Sequence, residues 1–144
     1  MADIRPVTPA FAVAPQLTAG DMREVAAAGY KTVIANRPDG ESPGQTSLAA
    51  ARAAAEAAGL AFVAIPFAGG PNMPLVEETM KALAGAEGPV LAYCRSGTRS
   101  ITIWALAQAA AGKAAPDDIL AQAESAGYDL TPLKPTLMQV AKAS

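Results

Sequence analysis

The chain contains no histidine, and that absence removes whole classes of chemistry. No Ser-His-Asp or Cys-His pairing can be assembled, and histidine-rich zinc sites are out of reach. Its one cysteine, Cys94, allows neither an internal disulfide nor a dithiol relay with a resolving thiol. A chain without disulfides suits a reducing compartment, so a cytoplasmic location is expected. No apolar run approaches the ~18 residues that span a bilayer. The opening Met1-Ala2-Asp3-Ile4-Arg5-Pro6 lacks the hydrophobic core of a signal peptide. Net charge is only −2 and the pI is near 5.0, which leaves no electrostatic footprint for nucleic acid. The sequence thus predicts no metal, no cofactor, no nucleic-acid partner and no membrane association.

What is present is a core. At 144 residues with 51 % hydrophobic content, one domain over 1–144 is expected. Short apolar strands alternate with alanine-rich helices, the pattern of an α/β domain with a largely parallel central sheet flanked by helices. Strands are predicted at 11–14, 32–35, 60–65 and 89–93. Thr18-Ala19-Gly20-Asp21 resembles a capping box opening a helix that ends near Gly29. Further helices are predicted at about 46–58, closed by Gly59, at 75–84, at 101–111, from Pro116 with its first-turn acids, and from Thr131-Pro132. The stretches 36–41 and 68–74 read as loops. Trp104 reads as a core residue. The alanine-rich faces can pack internally or against a second copy, so a homodimer stays open.

The most informative segment is Tyr93-Cys94-Arg95-Ser96-Gly97-Thr98-Arg99-Ser100. An apolar run leads in and a helix-forming run leads out, which describes a strand, a tight loop and a helix N-terminus. The first N–H groups of a helix have no intrahelical partner and bind anions. A cysteine at such a place ionises readily, because those dipoles stabilise the thiolate. A lone cysteine is otherwise a small buried hydrophobe; here the flanking pattern favours a nucleophile, Cys94, beside an anion cradle formed by Arg95, Ser96, Gly97, Thr98 and Ser100, with Arg99 as its cation. Ser100 is equally suited to capping the helix. In open α/β sheets the ligand lies at the carboxyl ends of the strands. The loops after Ala35, Ile65 and Tyr93 should therefore surround one crevice.

With these segments in view, the chain resembles the phosphatase-like domain of the beta-lactamase-hydrolase-like proteins, a bacterial family also described as sulfur transferases. The resemblance runs through Pro15-Gln16-Leu17, Ile34-Ala35-Asn36-Arg37-Pro38-Asp39-Gly40-Glu41, the Cys94 loop and Ala126-Gly127-Tyr128. It implies the fold of dual-specificity phosphatases with a loop like that of rhodaneses, Cys94 as nucleophile and Arg99 as the anion-binding arginine. The chain departs from the phosphatase pattern in three places. Arg99 is the sixth loop residue where those enzymes have arginine at the seventh, Tyr93 replaces the histidine that usually precedes their cysteine, and 68–74 holds no carboxylate where they keep a general acid. Such an acid is worth about 10²–10⁴ in rate. Asp39 and Glu41 are the remaining candidates for it, against the commoner role of a loop acid as turn former. Arg37 can contact substrate or pair locally with Asp39 or Glu41.

The leading expectation is therefore a sulfurtransferase. Cys94 takes sulfane sulfur from a small-molecule donor, rests as a persulfide, and passes the sulfur to a thiol or cyanide acceptor, with no proton donor required. The alternatives are a cysteine-dependent phosphatase for phosphotyrosine-like or small phosphoesters, and a non-catalytic persulfide- or anion-binding module.

Overall fold

The computed structural model describes residues 2–143. Five strands form one sheet in the order β1-β2-β5-β3-β4, with β1 Arg5–Thr8, β2 Phe11–Ala14, β3 Thr32–Ala35, β4 Ala61–Ala64 and β5 Val90–Tyr93. Strand β1 runs antiparallel to β2, and the remaining pairings are parallel. Six helices surround the sheet: α1 Asp21–Ala27, α2 Leu48–Ala57, α3 Met73–Gly85, α4 Thr98–Ala110, α5 Pro116–Ser125 and α6 Lys134–Ala143, the last preceded by a 3-10 turn at Thr131–Leu133. This is the α/β architecture expected from the alternation of strands and helices. Among the described residues no helix is long and apolar enough to cross a membrane.

Side chains alternate across the strands, and the two faces bury different sets. Ala12, Ala14, Val33, Ala35, Leu91 and Tyr93 meet Met22 and Val25 of α1 and Ala51 and Ala55 of α2. The small residues let those helices approach closely. On the other face Phe11, Val13, Ile34, Val90 and Ala92 meet Val76 of α3, Trp104 of α4, Ile119 of α5 and Leu137 of α6. Trp104 is 2 % exposed and stacks on Phe11 at 5.2 Å between ring centroids. Helix α4 is buried on nearly every side, as an all-round apolar helix must be. It packs against α3, α5, α6 and β5, which fixes its N-terminus in space.

The strand register places the site. Ala14 and Ala35 both pair with Tyr93, and Ala35 pairs with Ala64. Four parallel strands thus end level, and the residues that follow them share one edge of the sheet.

Local chemistry adjusts several predicted boundaries. Strand β1 escapes the sequence pattern because Pro6 argues against a strand, yet an edge strand tolerates proline. The predicted loop 68–74 ends early: the Asn72 side chain accepts from Leu75 N at 3.0 Å, so α3 starts at Met73. Helix α4 starts at Thr98 rather than at 101, because Gly97 makes the turn. At α1 the box is one-sided. Gly20 is the N-cap, and Asp21 Oδ2 accepts from Thr18 N at 2.9 Å, while no helix N–H donates back to the Thr18 hydroxyl.

Candidate active site

Cys94 leaves β5 at the sheet edge with its side chain fully buried. Gly97 N donates to its sulfur at 3.1 Å. The loop closes through Gly97, whose φ of +91° lies in the left-handed region where a side chain is strained. A Cβ there would also overlap the Tyr128 hydroxyl. That hydroxyl donates to Ser96 O at 2.8 Å and ties the loop to the segment after α5. Arg5 lies over the Tyr128 ring at 5.3 Å from its centroid. Burial raises the Tyr128 pKa, so its hydroxyl keeps the proton it donates.

Arg99 reaches away from the loop's backbone to two neighbouring loops. Its Nη1 and Nη2 donate to Glu41 at 2.9 and 2.7 Å, and Nη1 also donates to Phe67 O at 2.9 Å. Glu41 is gripped from its other side by Arg37 Nε at 2.9 Å. Arg37 is 5 % exposed and fixed in turn, with Nη1 on Gln16 Oε1 at 3.0 Å and Nη2 on Ser42 Oγ at 2.9 Å. The carboxylate therefore bridges two guanidiniums, and charge-assisted bonds of this geometry are the strong ones. Arg99 is held in its charged form chiefly by Glu41, with a smaller contribution from the nearby Cys94 sulfur. This network resolves Arg37 as the partner of Glu41.

The two arginines, Arg99 first, hold the Glu41 pKa at about 2, against an ordinary value of 4.5. A depressed folded-state pKa means that the bridge's contribution to stability is complete above 4.5 and is lost as pH falls through about 2. A carbon-detected titration of the Glu41 carboxyl should find its midpoint near 2. A midpoint at the ordinary 4.5 would mean a carboxylate free of both arginines. A group ionised across the neutral range is not a proton donor, so Glu41 is no substitute for the missing general acid. Asp39 is committed elsewhere: its Oδ1 accepts from Leu48 N at 2.8 Å and caps α2. No carboxylate lies in 68–72, the loop that precedes α3.

The other residues singled out from sequence divide by exposure. Arg95, Ser96 and Thr98 face solvent at the loop, and Ser96 Oγ donates to Thr98 Oγ1 at 3.0 Å. Ser100 is fully buried, and its hydroxyl donates to Asn36 Oδ1 at 2.8 Å, so it braces the loop from beneath. Asn36 Nδ2 donates to Ile65 O at 3.0 Å, and its backbone N–H donates to Tyr93 O at 2.9 Å. That buried amide stitches together the three strand ends expected to form the crevice. Burial, with a smaller push from the charge of Asp39, lifts the Tyr93 pKa to about 12, so its phenol stays neutral. Sequence reasoning missed Gln16, Asn36 and Tyr128 as individual contributors, although all three fall inside the motifs that carried the resemblance. Among the described residues no group of three His, Cys, Asp or Glu side chains is placed to hold a metal ion.

Comparison with known proteins gives this arrangement its relatives. Residues 3–111 match the family described as beta-lactamase hydrolase-like protein, phosphatase-like domain. A beta-lactamase hydrolase-like protein of Agrobacterium fabrum is 37 % identical over 123 residues, which is 82 % of this chain and 28 % of that protein. The chain thus spans little more than a quarter of the length of that curated relative. A candidate phosphatase from Neisseria meningitidis Z2491 superposes with a TM-score of 0.83 at 34 % identity, over 95 % of this chain and 97 % of its own. PTPMT1, solved in complex with PI(5)P, has a TM-score of 0.75 at 14 % identity over 97 % of this chain and 95 % of its own, a likeness of fold alone. These relatives support phosphatase-like chemistry better than the sulfur transfer expected from the sequence, and none of them speaks for a sulfurtransferase. The chain belongs to the phosphatase-like domain family of the beta-lactamase hydrolase-like proteins.

Proposed function

We propose that this chain is a cysteine-dependent phosphohydrolase acting on phosphoesters whose leaving groups depart without a donated proton. The observation that carries the reading is the Cys94 sulfur, set at a strand end and bonded by Gly97 N–H at 3.1 Å, in a phosphatase-like domain. The sulfur attacks phosphorus, an S–P bond forms, and the P–O bond to the leaving group breaks with its electron pair on oxygen. Water then displaces the sulfur and releases phosphate with the thiolate. The N-terminus of α4 stabilises the negative charge throughout. With Glu41 ionised between two arginines and Asp39 capping a helix, no carboxylic acid is poised to protonate an alkoxide. Phenolate-like leaving groups escape that requirement.

One observation favours a second reading. The loop reaches Arg99 one residue sooner than the phosphatase loop, and a smaller ring of N–H donors suits a compact sulfur anion. In that reading Cys94 accepts sulfane sulfur and passes it to a thiol. Rates on a series of aryl phosphoesters of graded phenol acidity, beside an alkyl phosphoester, decide the matter. The expected result is a steep dependence on leaving-group acidity with no alkyl hydrolysis. Equal rates on alkyl and activated aryl esters would mean that a general acid operates after all. No ester cleavage, together with one sulfur atom gained on Cys94 from thiosulfate in the intact mass, would replace the first reading with the second. Failure of both would leave a binding module.

A further inference from the structure

We propose that Glu41 sets the charge selectivity of the Cys94 loop, so that it takes singly charged anions in preference to doubly charged ones. The inference rests on the reading that this loop holds the anionic part of the substrate, and it applies to a phosphoryl group and to a sulfur anion alike. Arg99 lies close enough to the reactive sulfur to interact with it, and its fork is occupied on both Nη atoms by the Glu41 carboxylate. The Glu41 side chain is 25 % exposed and is held from both sides. Its second support, Arg37, is buried at 5 % exposure and locked by Gln16 and Ser42, so the carboxylate is built into the site.

The charge balance follows. Arg37 and Arg99 bring two positive charges; the Glu41 carboxylate offsets one of them, and the thiolate, the form of Cys94 that acts as nucleophile, offsets the other. What remains for a ligand is the partial positive charge of the α4 N-terminus, roughly half a unit, and the solvent-exposed Arg95. Such a field rewards a first negative charge and gives little for a second. A fixed carboxylate on Arg99 also repels a dianion about twice as strongly as a monoanion in the same place. Substrates of this class are phosphodiesters, singly protonated phosphomonoesters and hydropersulfide anions.

Tungstate and perrhenate test this, since they are nearly isosteric tetrahedral oxyanions differing by one charge. Their affinities are read as protection of the fold against thermal unfolding, in wild type and in Glu41→Gln, which keeps the shape and removes the charge. The variant should raise tungstate affinity relative to perrhenate by about tenfold or more. An unchanged ratio, or an equal loss for both anions, overturns the proposal and leaves Glu41 as a strut for Arg99. A second measurement needs no variant. Wild-type protection by tungstate should depend on ionic strength no more steeply than protection by perrhenate, and a markedly steeper dependence for tungstate also overturns it. Protection by neither anion in either protein would overturn the anion-cradle reading together with the proposal. Protection with an unshifted ratio removes the proposal alone.

Discussion

Cys94→Ser abolishes turnover, by at least about 10³-fold, while the domain stays folded. The size of the effect follows from what the chain lacks. A serine hydroxyl needs a base to become a nucleophile, and there is no histidine to serve. The neighbouring carboxylate, Glu41, is held at about 2 by its arginines and has little basicity left to offer. A thiol is intrinsically a far better acid and nucleophile than a hydroxyl and needs no such partner, and Gly97 N–H faces the sulfur. The structural cost is small: the exchange is nearly isosteric, and a serine oxygen can still accept from Gly97 N–H. The measurement is kcat/KM on an activated aryl phosphoester, and on thiosulfate with cyanide, beside the thermal midpoint. Retention of a tenth of the wild-type rate by a folded variant would remove Cys94 from the mechanism.

The parts of this domain legible in the sequence are those fixed by local pattern. Runs such as Thr32–Ala35 and Val90–Tyr93 are β-branched or apolar and bounded by turn residues, and they form strands. The rule that ligands sit at strand carboxyl ends gathers the loops after Ala35, Ile65 and Tyr93 around one crevice, and the level register of β3, β4 and β5 realises it. What escaped is set by pairings distant in sequence. Glu41 and Arg99 are 58 residues apart, and Asn36 and Ser100 are 64 apart. No periodicity relates such positions. Glu41 read alone is a turn acid or a proton donor, and it becomes neither once two guanidiniums close on it. The choice of chemistry is illegible in the sequence for a related reason. Loop length and the missing acid favoured sulfur transfer, whereas relatives over most of the chain lie with phosphatase-like proteins. A six-residue loop limits which anion fits, but it does not choose between phosphorus and sulfur unaided.

Gly97→Ala should be the most damaging substitution that leaves every reactive side chain in place. Two separable penalties meet at this position. The φ of +91° is strained for any residue with a Cβ, a cost of about 1–3 kcal/mol. The added methyl would also collide with the Tyr128 hydroxyl and displace it from Ser96 O, losing a bond worth about 1 kcal/mol. If the loop relieves the strain by moving, the N–H that faces the Cys94 sulfur at 3.1 Å moves with it. A misplacement of that kind costs about 10² in rate. The expected result is therefore a lowered denaturant midpoint together with about a hundredfold loss of kcat. Adding Tyr128→Phe to Gly97→Ala removes the colliding oxygen, and leaves the backbone strain and the ring carbon that bore the hydroxyl, 2.9 Å from the added methyl. The double variant should recover part of the stability and little of the rate, whereas Tyr128→Phe alone should cost about 1 kcal/mol and keep most of the rate. Full recovery of kcat in the double variant would make the hydroxyl collision the whole effect. Native kinetics in Gly97→Ala itself would show that this turn does not position the loop.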